Sequence, residues 1–312
     1  MPVTLKVKTI GDYFDYKSAV MITHGNETLA FASTNNVDFD YEVTTSDTGE
    51  PGTLLVTLWN ISKEIRNKIH KNDFLVLKTG PTALYGKLAS GNITKISPET
   101  NSDGDYSFQI AASQGGDYSK DKKVYSHFNG SKLVKKTVKE SNGKTISYTV
   151  KQTKKVNITF KKGITAKRII KRIQRETGIK INPFNLKKDK VYKKGYTLSA
   201  KPLNAIKAIV KDCDSKCYVR GDGLAIEDGS KPNPYNEHIY FDRANGLLTE
   251  PTLNDDDSGS KTYTGDVAED PRVNGGSSTY IKSESVTGLK RVQTVTHSKS
   301  DGDYKMEVTW HG

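Results

Sequence analysis

Cysteine is scarce in this 312-residue chain: the two present, Cys213 and Cys217, exclude a disulfide framework and a four-thiolate metal site. Lying four apart at what reads as a helix end, they are expected to be small core residues. No apolar run approaches the roughly 18 residues of a membrane-spanning helix, and the opening MPVTLKVKTIGDYF has no apolar stretch behind a basic start. A soluble chain made in the cytoplasm, with no membrane insertion of its own, is expected. Also missing are a Gly-rich phosphate loop, a nucleophile elbow, an HExxH pair and a CxxC pair. The six histidines, at 24, 70, 127, 238, 297 and 311, are scattered, and none has a second His or Cys at ligand spacing. Asp255, Asp256 and Asp257 offer hard oxygens but miss the EF-hand order, so they read as a solvated loop. No catalytic residue, cofactor or metal is expected.

What is abundant is positive charge, and it is unevenly placed. The formal net charge is +12, yet residues 120–220 hold 29 Lys and Arg against six acids, a net of +23, while the flanks carry 19 basic and 30 acidic residues, a net of −11. Such a block reads as an inserted or separately folded domain, and its charge concerns partners rather than fold. Its lysines include Lys154, Lys155, Lys161, Lys162, Lys167 and Lys171, with Arg168 and Arg172, and form a candidate basic partner surface. Binding to nucleic acid or to an anionic cell-wall polymer is the alternative such charge supports. Against nucleic acid, the block's aromatics do not cluster as a stacking platform and no known binding motif is present.

Periodicity divides the chain the same way. Val3, Leu5 and Val7 alternate with polar residues, and Val37, Phe39, Tyr41 and Val43 alternate with Asp38, Asp40 and Glu42, the pattern of half-buried strands. A short helix is expected over Ser62 to His70, where Ile61, Ile65 and Ile69 recur every four residues. In the basic block the period becomes helical: Thr165 caps a helix whose Ala166, Ile169, Ile170 and Ile173 share a face and which Gly178 ends, and a second helix starts at Pro202. After about residue 221 strands return, with a terminal hairpin of Leu289 to His297 and Tyr304 to Trp310. Asn254 to Asp270 is polar and poorly patterned and is expected to be a long loop. The length predicts two or three domains: 1–117, a β barrel or sandwich; 118–220, a basic α+β domain; 221–312, a second β domain.

Three stretches carry a resemblance. TLLVTLWNISKEIRNKIHKNDFLVLKTG and YGKLASGNITKISPE, within 53–99, resemble the first domain of tailed-phage baseplate hub proteins of the late control protein D-like family, with Asn60, Ser62, Asn72, Asp73, Gly91 and Thr94 at its characteristic steps. ITAKRIIKRIQRETGIKI and KPLNAIKAIVKDCDSKCYVRGDGLAIED are similar to its middle domain. Residues 270–310 are similar to its closing hairpin, with Gly288, Leu289, Val292, Val295, His297, Asp301, Gly302 and Asp303 matching. The resemblance implies a β-rich α+β fold: two tube-like antiparallel β-barrel domains with a small inserted α+β domain. It implies a non-enzymatic homotrimer forming a ring that adapts a hexameric tail tube to a trimeric central spike, in the baseplate of a virion tail assembled in the host bacterial cytoplasm. Its partners would be the tail tube protein, the central spike protein and other baseplate proteins, with DNA only as cargo through the lumen. The end at Trp310 fits a short hub without a fused lytic or receptor-binding domain, as in contractile injection systems. Within a ring, the acids Asp38, Asp40 and Glu42 are candidates to face the lumen, where anionic walls would let DNA slide.

Overall fold

The structure is a computed structural model describing residues 13–35, 37–102, 104–115, 131–139, 145–153, 158–198, 201–220, 223–229, 239–255 and 261–312. The expected strand Val3 to Val7 and the residues Lys154, Lys155, His127, His238, Asp256 and Asp257 lie outside the described residues. Two compact units are formed, one from residues 1–117, 180–187 and 214–312, the other from 118–179 and 188–213.

The first unit is built on strands. Its opening part contains β1 (Tyr16–His24), β2 (Glu27–Ala32), β3 (Phe39–Ser46), β4 (Thr53–Trp59), β5 (Phe74–Pro81), β6 (Gly86–Ile96), β7 (Thr100–Ser102) and β8 (Asp105–Gln114). The alternation read from 37–43 is realised in β3, whose Phe39, Tyr41 and Val43 are buried while Glu42 is exposed. Helix α1 (Lys63–Arg66) is one turn long, with Ser62 Oγ accepting the Ile65 amide at 3.3 Å. It is shorter than the isoleucine spacing suggested because the chain turns again at His70 to Asp73, where Asp73 Oδ2 accepts the His70 amide at 2.7 Å.

The closing part supplies β18 (Ile239–Asp242), β19 (Thr252–Asp255), β20 (Lys261–Ala268), β21 (Ser278–Lys282), β22 (Thr287–Ser300) and β23 (Asp303–His311). Two of these correct the expected loop: Asn254 to Asp270 includes the end of β19 and all of β20, which pair with each other and through β20 with β23. Among the described residues fourteen strands join one sheet, running β19-β20-β23-β22-β3-β4-β8-β6-β5-β1-β2 with β7, β18 and β21 as branches. The seam is the antiparallel pair β22–β3, from Thr294 opposite Ser46 to Lys299 opposite Tyr41. Strand pairs within this sheet are antiparallel except β18–β21. Two apolar clusters lie on this sheet. One draws on residues 20–112, around Val56, Leu58, Leu77 and Ile110; the other draws on 239–310, around Phe241, Val292, Val308 and Trp310. Short strands β13 (Ile181–Phe184), β16 (Lys216–Arg220) and β17 (Gly223–Glu227) make a separate three-stranded sheet in this unit, β17 lying between the other two.

The second unit holds a hairpin of β9 (Ser131–Lys139) and β10 (Thr145–Thr153), the short pairs β11 (Ile158–Phe160) with β15 (Tyr196–Leu198) and β12 (Ile164–Thr165) with β14 (Val191–Tyr192), and helices α2 (Ala166–Thr177) and α3 (Pro202–Asp212). Helix α2 is bounded as its sequence dictates: Thr165 accepts the Arg168 amide at 3.4 Å, and Gly178 at φ +71° donates its amide to Gln174. Ala166, Ile169, Ile170 and Ile173 are buried, and α3 packs on α2 with Leu203, Ile206, Ile209 and Val210 inward. The β-rich α+β character expected from the sequence is thus observed. Among the described residues no helix is long and apolar enough to cross a membrane.

Candidate functional site

Strand β3 and the residue just before it deliver Asp40 and Asp38 to one cleft. Period two turns Phe39 and Tyr41 inward, which leaves the residues between them toward the other face. Asp40 Oδ2 accepts the Trp59 indole N–H at 2.8 Å, so its carboxylate is fixed against β4. The Asp38 side chain is 76% exposed, with Lys299 Nζ at 3.4 Å. Lys299 itself is buried, donates to the Phe39 carbonyl at 2.6 Å and lies over the Phe39 ring. The cleft has a volume of about 540 Å³; Asp38, Asp40, Asp105 and Asp301 line it together with Phe31 and Trp59. Four carboxylates around an aromatic wall suit a cationic group, since charge attraction and cation–π contact act together. Glu42, the third acid read from the alternation, is exposed on β3 but does not line this cleft. Asp105 and Asp301 were not singled out as site residues by sequence. In the sequence Asp301 shows only as a turn residue of the closing hairpin and Asp105 only as an acid beside a Gly turn; in the fold Asp301 takes φ +51° and Asp105 Oδ1 accepts from the Asn60 side-chain amide at 2.9 Å.

On the second unit, Lys167, Arg168 and Lys171 are exposed on α2, opposite its buried isoleucines. Lys161 and Lys162, in the turn before β12, are exposed too. Arg172 is half-buried and paired with Glu176 at 2.8 Å, so part of its charge is satisfied within the helix. The backbone amide of Lys167 donates to Asp189 Oδ1 at 2.8 Å.

Two buried polar groupings tie the first unit together. Asp47, just past β3, receives Lys216 Nζ at 2.6 Å and Arg291 Nε at 2.8 Å on Oδ2, with His311 Nε2 at 3.0 Å. Burial alone would raise its pKa, but hydrogen bonds from His311, Arg291 and Lys216 outweigh it and hold the carboxyl well below the usual range. Arg291 also bonds Glu227, which accepts from the Tyr218 hydroxyl at 2.8 Å. The second grouping pairs Glu269 with His297, both fully buried, at 3.0 Å between Oε2 and Nδ1; His297 Nε2 sits 2.9 Å from the Val273 carbonyl. Beside it Arg272 forks onto Asp270, with Nε 2.9 Å from Oδ1 and Nη2 2.6 Å from Oδ2. These groupings act as internal braces in the sheet.

A third grouping lies at the surface. His24, His70 and Asp73 present one ligand atom each, all within 4.8 Å of one another.

No protein-family model matches the sequence, and no curated protein matches it. Solved structures do. The 43 kDa tail protein of prophage MuSo2 from Shewanella oneidensis superposes with a TM-score of 0.59 at 8% identity, covering 94% of this chain and 96% of that one. The tail protein of Neisseria meningitidis MC58 gives 0.57 at 8% identity, covering 96% and 97%. An Escherichia coli component of the type VI secretion system, described as structurally similar to the T4 bacteriophage tail proteins gp27 and gp5, gives 0.59 at 11% identity, covering 93% of this chain and 76% of that one. At such identities the likeness is one of fold. The chain shares the fold of phage tail proteins and of a type VI secretion component, in agreement with the resemblance carried by 53–99, 164–228 and 270–310.

Proposed function

We propose that this chain is a structural baseplate hub protein of a phage tail or a related injection apparatus, a homotrimer whose ring adapts a hexameric tail tube to a trimeric central spike. The observation that carries the reading is the shared fold over more than nine-tenths of this chain, with the E. coli relative itself described as similar to gp27 and gp5. Two lobes per chain, from 1–117 and 221–312, would present six near-equivalent faces from three copies and so resolve a symmetry mismatch. Their separate apolar clusters on one sheet support this division, and 118–220 is then the inserted basic domain, of which 180–187 and 214–220 group with the first unit. The role is non-enzymatic, needs no cofactor, and belongs in the tail baseplate after assembly in the host cytoplasm.

In this reading Asp38 and Asp40, with Glu42, face the lumen or rim, and DNA passes only as cargo. The exposed Lys161, Lys162, Lys167, Arg168 and Lys171 face outward toward another baseplate protein or an anionic surface. The spike and tube proteins are the remaining partners. Light scattering of the purified chain, alone and with its spike protein, tests the reading. A mass of three chains of 34.5 kDa in either sample is expected, and a monomer in both overturns it. Filter binding at about 150 mM salt separates the alternative, since tight sequence-dependent nucleic-acid binding would move the basic face to that role.

A further inference from the structure

We propose that His24, His70 and Asp73 form a binding site for a divalent first-row transition-metal ion of the zinc class. The inference stands apart from the hub reading and concerns a place where sequence spacing gives no hint, the two histidines being 46 positions apart.

The fold brings the three together by ordinary strand pairing. Strand β1 ends at His24 and runs antiparallel to β5, with Thr23 opposite Phe74, so the end of β1 lies beside Asp73, the residue just before β5. Gly25, at φ +56°, turns the chain back into β2 and sets His24 opposite Glu27. His70 precedes Asp73 by three residues in a turn closed from both sides. Asp73 Oδ2 accepts the His70 amide at 2.7 Å, and the Asp73 amide donates to the His70 carbonyl at 3.2 Å. The carboxylate is therefore fixed by backbone before any ligand arrives.

The chemistry of the group is that of a metal centre. The Asp73 side chain is only 4% exposed, and its ion-pair partners among the described residues are the two imidazoles: His24 Nδ1 at 2.6 Å from Oδ1 and His70 Nδ1 at 3.9 Å from Oδ2. The rings lie with centroids 4.6 Å apart, tilted by 40°. Imidazole nitrogens with one carboxylate select Zn²⁺, Cu²⁺, Ni²⁺ or Co²⁺ over Mg²⁺ and Ca²⁺, which want oxygen alone. Donor atoms around a tetrahedral zinc stand about 3.4 Å apart, given zinc–ligand bonds near 2.1 Å. The present separations, from 2.6 Å between His24 and Asp73 up to 4.8 Å, reach this value by rotation of two side chains that are 60% and 53% exposed, while the buried Asp73 stays in place. The imidazoles and Glu27 also line a hollow of about 150 Å³, which leaves room for water or the Glu27 carboxylate as a further ligand. Lys68 lines it as well; it is exposed, and its long side chain can turn its charge to solvent.

The test uses the full chain without an affinity tag, stripped with chelator and titrated with ZnCl₂ by calorimetry, alongside His24→Gln, His70→Gln and the double variant. Wild type is expected to bind one zinc per chain at this site. Each single change should weaken binding by about tenfold or more, and the double change should abolish it. Zinc should raise the melting temperature of wild type and not of the double variant. Equal melting temperatures in chelator establish that the variants are folded, as the exposure of both rings predicts. Failure of wild type to bind zinc, or unchanged affinity and stoichiometry in the double variant, overturns the proposal.

Discussion

Arg291 Nε donates to Asp47 Oδ2 at 2.8 Å although 244 positions separate them, and both side chains are buried, at 5% and 2% exposure. The same guanidinium holds Glu227, so Arg291 and Lys216 together balance the two carboxylates, Lys216 bonding Asp47 alone. Replacing Arg291 with an apolar residue of similar length removes the cation beside buried Glu227, while Asp47 keeps Lys216. Arg291→Met is therefore expected to destabilise the first unit by about 3–5 kcal/mol, and Asp47→Asn by less, since Lys216 and His311 can still bond an amide oxygen. Urea unfolding of the three proteins checks the order. Asp47 itself has a lowered pKa, so its contribution is present above the unfolded value near 3.9 and is lost as pH falls below it.

The Glu269–His297 pair sets the opposite pH dependence. Burial lowers the affinity of His297 for a proton, but the charge and hydrogen bond of Glu269 and the Val273 carbonyl win and raise its pKa; burial raises that of Glu269. With both raised, the folded pair binds more protons than the unfolded chain, and the stability it supplies falls as pH rises. For His297 the contribution is complete below about pH 6.5 and is lost as pH climbs through the higher folded value. Melting temperatures recorded from pH 6 upward should decline more steeply for wild type than for His297→Gln. Parallel curves would remove the pair from the account.

Local pattern made much of this fold legible and long-range pairing made the rest invisible. The alternation at 37–43 and the Thr165 and Gly178 caps are statements about neighbours in sequence, and the structure keeps them. Strand β19 was not readable because all four of its residues are exposed, so no buried face imposes a period on the sequence. Strand β20 is recruited by β23, again a partner far along the chain. The same applies to the candidate sites. Asp38 and Asp40 were visible as alternating acids, whereas Asp105 and Asp301 join them only through the turns of the fold, and His24 meets His70 only because β1 pairs with β5.

Gly91 illustrates a position where the sequence motif has a steric cause. A Cβ there would collide with the Ser113 carbonyl oxygen, a backbone atom that cannot swing aside. Gly91→Ala should therefore break the approach of β6 to the end of β8 and cost at least the ~3 kcal/mol upper end of overpacking effects. Gly86→Ala in the same strand is the control, since its nearest neighbour would be the Leu84 carbonyl at 3.6 Å, an ordinary contact. Soluble yield and thermal unfolding of the pair distinguish a steric cause from a general intolerance of the strand.

The acidic cleft yields the last prediction, and its design follows from the Trp59 bond. Reversing Asp40 to Lys would leave the indole N–H without its acceptor and confuse charge with stability, because an unmade bond to a partly buried donor costs about 1–3 kcal/mol. Asp40→Asn keeps an acceptor oxygen, while Asp38→Lys and Glu42→Lys act at exposed positions. The triple variant should keep the oligomeric mass of the wild type but melt lower, because Asp38→Lys sets a like charge beside buried Lys299. If these acids line a conduit, DNA threaded or bound there meets cationic walls, and binding gains phosphate contacts that release counterions. DNA retention on filters should then rise, with a steeper loss against the logarithm of salt concentration than in wild type. The basic block is common to both proteins, so the difference in slope belongs to the cleft and strand β3. An unchanged slope with intact assembly would place Asp38, Asp40 and Glu42 away from the path of nucleic acid and leave the cleft as a seat for a cationic side chain of a partner.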